Sequence, residues 1–186
     1  MPLVVEDGSK PLGANSYCSV MECDAWQAER GSPNWPAPPE TGEDPRRADK
    51  EAALIKAADY LNGLNWKGRR AGSGRLMAWP RLEAIDADGY VVAEDEVPEA
   101  VKSAACYLAG LAVVGVDLQP VLARGGRVAS EAVDVISASY FDDAASRDVH
   151  SVLADLLSGL AHDFHGYAGT ALTAGKSGSI RRVTRA

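Results

Sequence analysis

Residues 97–116 read VPEAVKSAACYLAGLAVVGV, and this stretch constrains the fold more than any other. Pro98 suits the first position of a helix, where a backbone N–H is not needed. Val101, Ala105, Leu108 and Ala112 then recur at helical spacing on one face. Ala104, Ala109, Gly110 and Gly115 are small enough to let neighbouring helices approach on the other sides. The apolar run 104–116 is too short to cross a bilayer, so no membrane is implied by it. A helix apolar on several faces has to sit at the centre of a domain, with the rest of the chain packed around it.

The rest of the chain supplies helices to pack there. Ser19 and Glu22 form the S-x-x-E pattern in which each side chain satisfies the other's free amide, with Cys18 and Cys23 at the flanking staple positions. Gly31 stops that helix. A Pro-rich loop follows at 31–45. Asp44 and Pro45 open a second helix to about Leu61, with Leu54, Ala58 and Leu61 on one face and Gly63 as the stop. Residues 64–82 read as a long basic loop. Asp88-Gly89 turns the chain, and Tyr90-Val91-Val92 has strand composition. Gly125-Gly126 breaks the chain before residues 127–141, which read as a β-hairpin turning at Ser130-Glu131. Ser146 caps a last helix, with Val149, Val152, Leu153, Leu156, Leu157 and Leu160 as its apolar positions. The glycine-spaced remainder reads as an extended arm. The expectation is therefore a mainly α chain: a four-helix domain over 1–163 with a β-hairpin, followed by a C-terminal arm over 164–186.

Charge is unevenly spread along the 186 residues. The formal net charge is −7, which excludes a generally basic nucleic-acid binder. Yet Lys67, Arg69, Arg70, Arg75 and Arg81 crowd 63–82 without an acid, and Trp66 and Trp79 lie among them. Basic residues interleaved with aromatics are the footprint of a single-strand-binding groove. A tryptophan in the partly apolar stretch Leu76-Met77-Ala78-Trp79 also reads as a core plug. Glu83, Asp86, Asp88, Glu94, Asp95, Glu96 and Glu99 then follow with no base among them. Beyond Phe164 the chain is basic only. Such blocks read as surfaces that meet partners of opposite sign, or as solvated loops.

Catalytic and cofactor motifs are missing. Gly175-Lys176-Ser177 resembles the end of a phosphate-binding loop, but the partnering glycine would have to stand at Thr170. Asp86-Ala-Asp88-Gly89 lacks the spacing and closing glutamate of a calcium loop. His162 and His165 lack further ligands in the sequence, and His150 stands alone. No serine or cysteine has a nearby histidine to act as its base. The reading is a protein without catalysis, metal or cofactor. Three cysteines without metal spacing imply reduced thiols and synthesis in the cytoplasm, and MPLVVEDGSK lacks the features of a signal peptide.

Several stretches in order carry a resemblance: LVVEDGS, ANSYCSV, EAALIKAADYLNGLNWKGRR, AWPR, DGY, VPEAVKSAACYLAGLA and GSIRRVTRA. Together they resemble a tailed-bacteriophage family labelled DnaT-like single-stranded DNA-binding proteins, grouped with head-to-tail connector (adaptor) proteins. The connector side of that resemblance implies a structural protein of the virion neck, assembled in the host cytoplasm as a homo-oligomeric, dodecameric ring beneath the portal protein. It would extend the channel for packaged double-stranded DNA and dock a stopper or tail-completion protein. On that reading Lys176, Ile180, Arg181, Arg182, Val183 and Arg185 form a portal-docking arm. Trp66, Lys67, Arg69, Arg70, Arg75, Trp79 and Arg81 form an interface or DNA-proximal loop. The other label implies a single-stranded DNA-binding primosomal accessory that contacts DNA through Lys67, Arg69 and Arg70. The net acidity favours the connector expectation, because a channel wall has to let DNA slide.

Overall fold

The computed structural model describes residues 2–72, 76–119, 130–133, 136–139 and 151–162. Among them the chain is mainly α, with four helices and two small two-stranded antiparallel pairs. The helices are α1 (Val20–Glu29), α2 (Arg47–Asn62), α3 (Glu99–Ala112) and α4 (Ser151–Leu157). α3 packs against all three others. Val101, Ala104, Ala105, Leu108 and Ala109 are fully buried in it, so the small residues do allow close approach from several sides. Leu54 and Leu61 from α2 and Leu153 and Leu157 from α4 complete this core. Burying each such leucine stabilises by about 1.5–3 kcal/mol.

The helix ends follow the local chemistry of the sequence. The Ser19 hydroxyl accepts from Glu22 N at 3.2 Å, and Glu22 Oε2 accepts from Ser19 N at 2.6 Å. At the start of α2, Asp44 Oδ1 accepts from Arg46 N at 2.8 Å. Cys18 and Cys23 are buried against α3 rather than merely stapling α1, and Cys18 Sγ lies 3.4 Å from Cys106 Sγ. The hydrogen bond to Cys106 and burial together hold the Cys18 thiol protonated. All three thiols are free.

Lys50 is the fully buried cation of the domain's N-terminal half. Its ammonium bonds Asp24 Oδ1 at 2.8 Å and Asp44 Oδ2 at 2.7 Å, and lies 5.4 Å from the centre of the Trp35 ring. Trp35 Nε1 donates to the same Asp24 oxygen at 2.6 Å. The Pro-rich loop is thus tied to α1 and α2 through one charged knot.

Three expectations are corrected. Residues 64–82 are not an uninterrupted loop: β1 (Arg69–Arg70) pairs antiparallel with β2 (Arg81–Leu82), Arg69 facing Leu82 and Arg70 facing Arg81. Ser130-Glu131 is not a turn. It lies inside β3 (Ser130–Val133), which pairs antiparallel with β4 (Ile136–Ser139). The register joins Ser130 to Ser139 and Val133 to Ile136. Tyr90-Val91-Val92 makes a single bridge, Ile85 to Val91, instead of a strand. Asp86 Oδ1 accepts from both Asp88 N and Tyr90 N and closes that turn before a ladder can extend. The expected cap at Ser146, Val149 and the arm over 164–186 lie outside the described residues.

Candidate nucleic-acid interface

The basic segment is built outward from two tryptophans. Trp66 and Trp79 are 5% and 1% exposed, and their rings meet edge to face with centroids 5.5 Å apart. Trp66 Nε1 donates to Leu61 O at 2.8 Å, which fastens the segment to the end of α2. Lys67 N donates to Leu160 O and His162 N donates to Asn65 O, which fastens it to the end of α4. Neither indole has a face open to a nucleotide. Base stacking by these two residues is therefore ruled out by packing, and their place is the core.

Tyr17 and Asn62 hold the other end of the segment. The Tyr17 hydroxyl donates to Asn62 Oδ1 at 2.5 Å and accepts from Ala78 N at 3.0 Å. Asn62 Oδ1 also accepts from Ala78 N, at 2.8 Å. Burial pushes the Tyr17 phenol well above its ordinary range, so it remains a donor at any pH at which the protein works. The sequence offers no local sign of this pair, because Tyr17 and Ala78 are far apart in the chain and meet only in the fold.

Two of the basic residues are consumed by structure. Arg81 is 7% exposed, and its guanidinium donates to Lys67 O at 2.6 Å, Gly68 O at 2.7 Å, Ala78 O at 3.1 Å and Trp66 O at 3.4 Å. Burial, with Arg70 nearby, lowers its pKa, but a guanidinium starts so high that it remains charged. Lys67 donates its ammonium to Gly159 O at 2.7 Å, across to the turn after α4. Gly159 is required there, because a Cβ on it would stand 2.3 Å from Ala87 N.

Arg69 and Arg70 are exposed on β1. Arg69 approaches Glu83 at 3.4 Å, with both side chains more than two-thirds exposed. Such a surface pair contributes little and is readily exchanged for another anion. Arg75 lies outside the described residues, as do Lys176, Ile180, Arg181, Arg182, Val183 and Arg185. What the described residues keep of the expected strip is a two-strand platform with Arg69 and Arg70 exposed at consecutive positions, their side chains alternating across β1. Guanidinium forks bind phosphate oxygens bidentately, so the platform can hold a nucleic-acid backbone without reading bases.

Gly68 sets the angle of that platform. Its φ is +70°, and a Cβ would lie 2.4 Å from Leu82 O. Gly68→Ala should therefore lose about 2–3 kcal/mol through left-handed strain and displacement of β2. A thermal scan should show the melting temperature down by roughly 5–10 °C. A change within a degree would mean that β1 tolerates a different path.

No curated protein and no solved structure matches the chain. A family model does match, over residues 1–185, and its description names single-stranded DNA binding. That corrects the head-to-tail connector expectation, since nothing found for this chain indicates a phage connector or a virion ring. The acidity that favoured the connector is a whole-chain sum, whereas phosphate contact is decided within about 10 Å of the contacting cations. Matched over 185 of its 186 residues, the chain belongs to the family described as "Putative DnaT-like ssDNA binding protein".

Proposed function

We propose that this protein binds single-stranded DNA through its backbone phosphates, with Arg69 and Arg70 as the contacting pair on the described surface. The observation that carries this reading is the pair itself. Arg69 and Arg70 stand exposed on a hairpin whose Lys67 and Arg81 bond inward to backbone carbonyls, in a chain whose family is described by that binding. The buried tryptophans limit the mode. Without an aromatic platform at the site, binding depends on charge and is tolerant of sequence. The net charge of −7 works against long-range steering, so the affinity should be modest and fall steeply with salt.

The test is a titration of a labelled oligothymidylate by fluorescence anisotropy at several salt concentrations. A double substitution, Arg69→Ala with Arg70→Ala, should weaken binding and lower the slope of log K against log salt by about 1.4, the value for two single-strand phosphate contacts. Lys56→Ala, an exposed cation on α2 outside the hairpin, serves as the control. An unchanged slope in the double variant would remove the pair from the interface. Lack of any complex at the lowest salt would remove the function.

A further inference from the structure

A groove of about 880 Å³ lies between the N-terminal segment, the Pro-rich loop and the first turns of α1 and α2. Its apolar lining comes from Leu3, Val20, Met21, Pro38 and Pro39, and Met21 is 78% exposed although it sits at the start of a helix. Its charges are unbalanced. Asp24, Glu43, Asp44 and Glu51 line it, against Arg47 and the Lys50 ammonium beneath. Asp24 and Asp44 share Lys50, and Glu51 pairs with Arg47, which leaves the groove with an excess of negative charge centred on exposed Glu43. An apolar floor with an acidic rim selects a segment that alternates aliphatic and cationic side chains. A nucleic acid is repelled by it.

This chain carries such a segment. Lys176 to Arg185 reads KSGSIRRVTR, with Ile180 and Val183 as aliphatic anchors, four cations and no acid. Seventeen residues lie between His162, the last described residue, and Ile180. They span up to about 60 Å when extended, several times the roughly 15 Å radius of gyration of a domain of this size. The segment can therefore reach the groove from the end of α4.

We propose that the Lys176–Arg185 segment of the same molecule occupies this groove, with Ile180 and Val183 on the apolar floor and the arginines against Glu43, Glu51 and their neighbours. The acidic groove thereby holds the chain's second basic block away from the β1 platform. The inference does not depend on DNA binding, and its test contains no DNA.

A photo-reactive benzoylphenylalanine placed at Val183 in the full chain reports the contact directly. Irradiation followed by peptide mapping should give crosslinks to 1–10, 19–24 or 38–51. An equimolar mixture of isotopically heavy and light protein should show those crosslinks within one molecule. Charge reversal at Glu43→Lys with Glu51→Lys should lower the yield about tenfold, the effect of losing two surface charge pairs, while Asp88→Lys, outside the groove lining, leaves it unchanged. Crosslinks only to other regions, crosslinks only between heavy and light copies, or no crosslink at all would each overturn the proposal. Circular dichroism of the reversal variant distinguishes lost docking from lost fold.

Discussion

Lys50→Ala should cost about 3–5 kcal/mol, enough to remove a large part of the stability of an ordinary domain. The lysine side chain is fully buried, and two carboxylates converge on its ammonium. Removing it leaves Asp24 and Asp44 facing each other with no compensating charge in a site closed by Trp35. Urea unfolding followed by tryptophan fluorescence measures the loss directly. Lys50→Met should be no better, because packing is restored but the carboxylates remain uncompensated. Adding Asp24→Asn and Asp44→Asn to Lys50→Met should recover part of the loss. A cost below about 1 kcal/mol for Lys50→Ala would show that water, not lysine, solvates the two acids.

The same knot gives stability a pH dependence at both extremes. Burial opposes the charge on Lys50, but the hydrogen bonds and charges of Asp24 and Asp44 outweigh it and raise the ammonium above its ordinary range. Its contribution is complete below about 10.5 and is lost as pH rises through the higher folded value. Hydrogen bonds from Lys50 and from Arg46 N hold Asp44 below the usual carboxylate range. Its contribution is complete above about 4 and is lost as pH falls through the lower folded value. Stability should be level between these limits. Lys50→Ala should lose the alkaline limb and flatten the acid one.

Trp79→Ala should cost about 3–5 kcal/mol by opening a cavity beneath the hairpin and removing the edge-to-face partner of Trp66. No hydrogen-bond acceptor meets Trp79 Nε1 among the described residues, so Trp79→Phe should cost much less, roughly 1–2 kcal/mol. Guanidinium denaturation of the two variants separates cavity from chemistry. If Trp79→Ala left stability untouched while abolishing binding of an oligonucleotide, the indole would belong to the DNA site and the buried geometry would be refuted.

The helical frame was legible because its signals are local. The S-x-x-E cap, the stops at Gly31 and Gly63 and the small-residue face of α3 all act within a few residues, whereas the start expected at Asp44-Pro45 falls short of α2, whose cap residue is Arg46 with no side-chain cap bond. The β1–β2 pairing was not legible. Two-residue strands leave no alternation to detect, and the segment leading into β2 is held at Ala78 N by Tyr17 and Asn62, which come from elsewhere in the chain. The candidate site was legible in composition and not in use. Five basic residues and two tryptophans stand close in sequence, but nothing local reveals that Arg81 turns inward onto four carbonyls while Arg69 and Arg70 turn outward. Net charge misled for a related reason, since a sum over the chain carries no position.

The inward guanidinium of Arg81 also changes how mutational screens of this segment are to be scored. An alanine scan read by gel shift alone would award Arg81 the strongest phenotype, and Lys67 a share of it, although neither ammonium nor guanidinium is offered to a ligand. Both would register as false positives, lowering the active fraction of each preparation instead of its affinity. Normalising every titration to the folded fraction should move Arg81 and Lys67 from the contact class to the scaffold class, and leave the two β1 arginines behind.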